Sequence, residues 1–268
     1  MGILYESFGS FHTGVSSYRM LISKRSRGTI SLTDDNLSFE SQKDKVPFRL
    51  KLSEIQDFFM KNQFSIPVVE IVTLHGNTYN LYSLRRSKKH YHSSLEITED
   101  LFRQLTRLIL NKDQIILFDA IVAFYPSSLR NFNFKESSLQ GHIFLTENYI
   151  LFKSFQTGKI NRIEILQIKH ILMEIVDTIT YVTFETLDGA IFSLLPLKAS
   201  WGRFTKDKVK TEKLYDILNQ TMMYKQSEQL GAEELTSLSK NETICKFCGN
   251  IINSEVSLCP FCGNENRK

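Results

Sequence analysis

The sequence predicts a mainly β protein in which two copies of one unit stand in tandem, each a series of short strands closed by a C-terminal helix, with a small metal-held tail behind them. Three observations carry this expectation. Part of the chain repeats at an offset of 113 residues, apolar residues within each copy alternate with polar ones, and all four cysteines lie in the last 24 residues as two Cys-x-x-Cys pairs.

The repeat is plainest where Gly28-Thr-Ile-Ser-Leu-Thr33 returns as Gly141-His-Ile-Phe-Leu-Thr146, and Phe39 returns as Phe152. Thr73-Leu74-His75-Gly76 returns as Thr186-Leu187-Asp188-Gly189 at the same offset. Aligned without gaps, residues 28–84 and 141–197 share 16 identities in 57 positions, which marks a tandem duplication. Alternation over Thr29–Phe39 and His142–Phe152 brackets the turn signals Asp34-Asp35-Asn36 and Glu147-Asn148, so each stretch reads as a hairpin. Phe48–Ile55 and Arg162–Ile168 alternate again. Val68–Thr73 and Tyr181–Thr186 are β-branched runs closed by His75-Gly76 and Asp188-Gly189, and Tyr79–Leu84 and Ile191–Leu197 follow as their partners. Leu101, Leu105, Leu108 and Ile109 then repeat at helical spacing, as do Val209, Leu214, Ile217 and Leu218.

In the tail, Cys245, Cys248, Cys259 and Cys262 form two knuckles separated by ten residues, each followed by a glycine, Gly249 or Gly263. Facing knuckles make a tetrahedral cage of four thiolates, the set that a structural Zn²⁺ prefers, and four protein ligands leave the metal no open position for catalysis. Disulfides would need an oxidising compartment. Rubredoxin-type iron uses similar knuckles on loops much further apart. The pattern resembles the short zinc ribbons with CxxCG and CPxCG knuckles, over residues 245–263. Its spacing also equals that of the Npl4-type finger, but Thr243 and Gly249-Asn250 stand where that family carries Trp and Thr-Phe, so ubiquitin reading is not expected.

Several strands followed by one amphipathic helix in about 110 residues is the order of a pleckstrin-homology (PH) barrel. GHIFLTENYILF, Gly141–Phe152, resembles the GRAM subgroup of that superfamily, and GTISLTDDNLSF resembles it less closely. The resemblance implies two PH-like barrels with their helices at one open end, over residues 1–112 and 113–225. A plain β-barrel without this relationship is the alternative. Residues 226–242 read as a polar linker, although Leu230, Leu235 and Leu238 offer a way to extend the preceding helix, and 243–268 read as the ribbon.

A net charge of +4 permits anionic partners without demanding one. The start of the chain shows no basic segment leading into an apolar core, and no run approaches the length of a membrane span, so a cytoplasmic protein, peripheral on membranes at most, is expected. No nucleophile elbow, phosphate-cradling glycine loop or His-Glu-x-x-His helix is present, and no enzyme is expected. The informative feature is a repeated placement of cations. Between the last strand and the helix stand Arg85, Arg86, Lys88 and Lys89 in the first copy, and Lys198, Trp201, Arg203 and Lys206 in the second. Arg19, Lys24, Arg25 and Arg27 precede the first hairpin. As solvated loops they would do nothing. As a site they suit an anionic membrane surface, with aromatic rings entering the interface beside the cations. PH-like domains bind phosphoinositides or proteins, so the resemblance implies a peripheral adaptor with a protein-docking ribbon. GLUE-type domains combine a PH fold with small zinc fingers, which implies a trafficking role by analogy. Two other readings compete: a purely protein-interaction module, and a nucleic-acid-associated ribbon, for which Lys246, Arg267 and Lys268 make a thin footprint.

Overall fold

The computed structural model describes residues 2–14, 27–42, 47–63, 66–87, 90–126, 138–200, 203–237, 242–244 and 251–253. The first copy contains β1 (Tyr5–Thr13), β2 (Arg27–Leu32), β3 (Asn36–Ser41), β4 (Phe48–Lys51), β5 (Ile55–Gln63), β6 (Ile66–Thr73), β7 (Thr78–Ser87), β8 (His90–Ser93) and helix α1 (Leu95–Leu110). The second contains β9 (Ile116–Tyr125), β10 (Leu139–Thr146), β11 (Tyr149–Ser154), β12 (Ile160–Glu164), β13 (Ile168–Val176), β14 (Ile179–Thr186), β15 (Ile191–Ser200), β16 (Arg203–Lys206) and helix α2 (Lys208–Ser237). From β5 onward every strand recurs at the offset of 113.

Each copy is one antiparallel sheet in the order β4-β3-β2-β1-β7-β6-β5, or β12-β11-β10-β9-β15-β14-β13, with β8 and β16 added beyond β7 and β15. Seven strands and a closing helix make each copy PH-like, as expected. β1 and β9, which the sequence pattern left unassigned, sit at the centre of the order and join the two halves of each sheet. In β1, Gly9 and the buried Ser10 and His12 mask the alternation, and β9 is an almost unbroken apolar run that shows none. The expected strands Phe48–Ile55 and Arg162–Ile168 are each broken by a 3-10 turn, Leu52–Glu54 and Ile165–Gln167, where the chain crosses from one half of the sheet to the other. Leu52 and Ile165 donate their amide protons to Asp35 and Asn148, which pins the break in both copies.

The repeated residues prove to be turn chemistry. Thr33 Oγ1 accepts the Asn36 amide at 3.1 Å, and Thr146 Oγ1 accepts the Tyr149 amide at 3.1 Å. Gly76 and Gly189 hold φ of +77° and +84°, which favours glycine. Gly28 and Gly141 answer a different need. A Cβ would lie 2.0 Å from Glu40 O or 2.2 Å from Lys153 O, so a side chain at either point would push the neighbouring strand away. Gly141→Ala should therefore cost about 1–3 kcal/mol, as overpacking does, readable as a lower urea midpoint.

Ser94 caps α1 by accepting the Ile97 amide, and Leu101, Phe102, Leu105 and Leu108 form its buried face. Asp207 caps α2 through the Lys210 amide at 3.1 Å. Leu214 and Leu218 are buried as expected, but Val209 lies in the first turn beside the cap and is exposed. α2 runs on to Ser237, so part of the stretch read as a linker is helical. Its Gln, Glu and Ala content favours helix, and the Lys225–Glu228 pair at 2.9 Å adds support one turn apart.

Residues Met1–Asn219 form one compact unit and Gln220–Lys268 a second. In the first unit one apolar core runs through both copies, with Phe58, Leu101, Phe102 and Leu105 in the same cluster as Ile121, Phe155 and Leu195. In the second, β17 (Glu242–Ile244) pairs antiparallel with β18 (Ile251–Asn253). No described helix is long and apolar enough to cross a membrane.

Candidate functional site

The two copies are joined along the outer edge of β5. The Met60 amide leaves that edge and donates to Phe155 O at 2.7 Å, in the turn after β11. The Phe155 ring meets Phe102 edge-on at 5.1 Å between centroids, and Phe102 in turn lies against Phe58 at 5.3 Å. Lys153 projects into the same joint, with its side chain 1% exposed, its Nζ 2.9 Å from Asp57 Oδ1 and 4.2 Å from the Phe58 ring centre. His142 pairs with Glu99, Arg103 reaches Asp119 at 3.1 Å, and Tyr149 donates to Asn111 at 3.1 Å. None of these residues stands out in the repeat pattern. Lys153 alone carried a signal, as a lone cation in the apolar run Tyr-Ile-Leu-Phe-Lys-Ser.

The segments expected as cationic loops are β-ribbons. In the first, Leu84, Arg85, Arg86 and Ser87 pair with Ser93, His92, Tyr91 and His90. Leu197, Lys198, Ala199 and Ser200 pair with Lys206, Thr205, Phe204 and Arg203 in the second. Arg85 is exposed and pairs with Glu96 at 3.1 Å. Tyr91 packs on Phe8 at 4.6 Å, and the Arg27 guanidinium lies 5.4 Å from the Tyr91 ring centre, which draws Arg27 to the first ribbon. In the second ribbon Lys198 and Lys206 are exposed, while Phe204 stacks on Phe155 at 5.7 Å. Arg86 and Arg203 are placed as strand positions only. Arg19, Lys24, Arg25, Lys88, Lys89 and Trp201 lie outside the described residues.

Both ribbons contribute to one cleft. A cleft of about 900 Å³ at the joint is lined by Ser93 from β8 and Phe204 from β16, with Met60, Lys61, Asn62 and Gln140 between. A shallower cavity of about 430 Å³ continues from Gln140 and Phe204 to Tyr125 and Lys206. The polar rim of Lys61, Asn62 and Gln140 was not foreseen, because only the inter-copy contact makes it a rim. The cleft suits a surface contact better than chemistry: Lys61 is already paired with Glu70. Among the described residues no three His, Cys, Asp or Glu side chains converge on a metal position.

The four cysteines also lie outside the described residues. What is described beside them is the strand pair that brackets residues 245–250, with Ile244 opposite Ile251.

No protein-family model and no curated protein matches the chain. Among solved structures it is similar to the C-terminal domain of a protein from Leishmania infantum, at 16% identity and a TM-score of 0.33, covering 47% of this chain and 97% of that one. It is similar to the Vps36 N-terminal PH domain at 17% identity and a TM-score of 0.31, covering 41% and 80% respectively. A third likeness is to the linker-DH/PH domains of p115-RhoGEF, at 11% identity and a TM-score of 0.29, covering 45% of this chain and 33% of that one. Two of the three thus contain PH domains; at these TM-scores the likenesses carry no argument, and the fold rests on the strand order itself.

Proposed function

We propose that the chain is a non-enzymatic peripheral adaptor whose tandem PH-like copies dock an anionic membrane surface through the two cationic ribbons. The observation that carries this reading is the duplicated ribbon, projecting at the same point of each copy, with a residue of each ribbon on one cleft. Exposed Arg85, Lys198 and Lys206 supply charge on β-ribbons, which hold their spacing better than free loops do. Each basic residue near an anionic surface contributes about 1 kcal/mol, so replacing these three by Gln should weaken partitioning on the order of a hundredfold. The measurement is sedimentation with vesicles of phosphatidylcholine, with and without anionic lipid, at two salt concentrations. Binding that ignores both salt and the triple substitution would sink the reading; steeply salt-dependent binding to nucleic acid instead would favour the ribbon-centred alternative.

The tail we read as a structural zinc ribbon and protein-docking element. Two Cys-x-x-Cys knuckles supply the donor set, and the paired strands around residues 245–250 support a knuckle at the end of a hairpin. Cys245, Cys248, Cys259 and Cys262 would hold the metal, whose role is to fold a segment too small to have a core of its own. The chain should carry one zinc per molecule by elemental analysis. Cys259→Ser should lose it while leaving the main thermal transition of the Met1–Asn219 unit in place. Full metal content in Cys259→Ser would exclude the four-thiolate site.

A further inference from the structure

The edge of β5 is covered by the second copy, yet the corresponding edge of β13 is not covered by any described residue, although the two strands match position for position. Met60 pairs with Val69 and Met173 with Val182, the same register at an offset of 113, so the Met173 amide leaves its sheet at the same outer edge. Met60, under the joint, is 6% exposed and Met173 is 43% exposed; Leu172 and Ile175 beside it are exposed as well, Ile175 at 74%. An apolar outer edge of this kind is a template for another chain.

The first copy carries, in the last residue described after β3, a counterpart of Phe155. Phe155 donates its amide proton to Gln140 O at 2.9 Å, and Gln42, its counterpart, donates to Arg27 O at 3.0 Å. The two residues thus make the same backbone bond, and the carbonyl that Phe155 offers to Met60 has its sequence counterpart in Gln42. The polar groups at the joint differ between the two places. Inside the chain Lys153 meets Asp57; the corresponding residues are Glu40, which is exposed, and His170, which already faces Glu185 at 3.2 Å.

We infer that the β13 edge receives the first-copy turn, Glu40–Gln42, of a second molecule of this chain, repeating between molecules the joint that unites the two copies within one. Such a contact is head-to-tail. Each molecule presents one such turn and one such edge, so assembly continues as concentration rises. Gln42 in place of Phe155 deprives the intermolecular joint of its aromatic plug, and the assembly is accordingly weaker than the internal joint.

Sedimentation velocity on the full chain, from low to high micromolar, tests this. The weight-average sedimentation coefficient should rise with concentration. Ile175→Glu should weaken association about tenfold or more, since a carboxylate would be left buried in the joint, and Glu40→Lys should weaken it in the same direction. Both residues are exposed, so the thermal transition of each variant should stay where it is. Mixing the two variants should restore one competent joint, giving dimers that grow no further. Gln42→Phe should tighten association about tenfold by adding a buried ring. A chain monomeric throughout the range overturns the inference and leaves the edge to a partner of another sequence. So does association confined to Gln42→Phe, association untouched by Ile175→Glu, or a mixture of the two variants that stays monomeric.

Discussion

Asp57→Ala should destabilise the Met1–Asn219 unit by about 3 kcal/mol, the low end of what breaking a buried ion pair costs. The loss comes from what is left behind. Lys153 is almost wholly buried, and among the described residues its Nζ touches Asp57, the Gly158 carbonyl at 3.4 Å and the Phe58 ring. Asp57 keeps some contact with solvent, which holds the cost at the low end. Lys153→Met, which removes the charge and keeps the volume, should be close to neutral. The double variant Asp57→Ala/Lys153→Met should recover most of the stability. Urea unfolding of the four proteins gives the coupling directly. A double variant as unstable as Asp57→Ala alone would show that Asp57 acts through its 2.7 Å bond to the Phe58 amide, not through the lysine.

The same lysine sets a slope with pH. Burial lowers its pKa from the ordinary 10.5, against the opposing pull of Asp57. The unfolded chain therefore holds this proton more tightly, and between the lowered value and 10.5 the stability rises with pH. Below that window the lysine is charged in both states and contributes no slope. Tyr5, Tyr82 and Tyr181 oppose it at the alkaline end. Burial raises each above 10.0, so the unfolded chain ionises first and stability falls once pH passes 10. Lys153→Met should abolish the rise and leave the fall.

These residues show why the fold was legible in the sequence and the joint was not. Thr33 and Thr146, or Gly28 and Gly141, do the same work in both copies, so duplication displays them as identities. The joint breaks the symmetry. It needs an aspartate at 57 but leaves His170 half-buried beside Glu185 at the corresponding place, and it needs Lys153 and Phe155 where the first copy has Glu40 and Gln42. A repeat search discards such positions as mismatches, yet a mismatch in polarity is what a contact made by only one of two copies produces. The cationic segments were found for the opposite reason, because both copies carry them. Their ribbon form was hidden by Lys, Arg and His, which are poor strand formers and gain their pairing from β7 and β15.

Phe155→Ala should be the largest single effect, about 3–5 kcal/mol, the usual cost of deleting a buried aromatic ring. The ring is 3% exposed and joins Phe102 of the first copy to Phe204 of the second ribbon, so its loss opens a cavity that neither rigid sheet can close. In a unit of this size each kcal/mol lowers Tm by about 2–4 °C, which places the expected fall near 10 °C or beyond. The Met60–Phe155 backbone bond does not need the ring, so the copies stay tethered while their packing loosens. Unfolding should then lose its single transition, because the shared core is what makes two sheets melt as one. The ring also supports Phe204 near the tip of the second ribbon, and vesicle binding should weaken along with stability, although no cation has been changed. If stability falls but vesicle binding is untouched, the ribbon holds its position without the joint, and the contribution of the shared cleft to binding would have to be dropped.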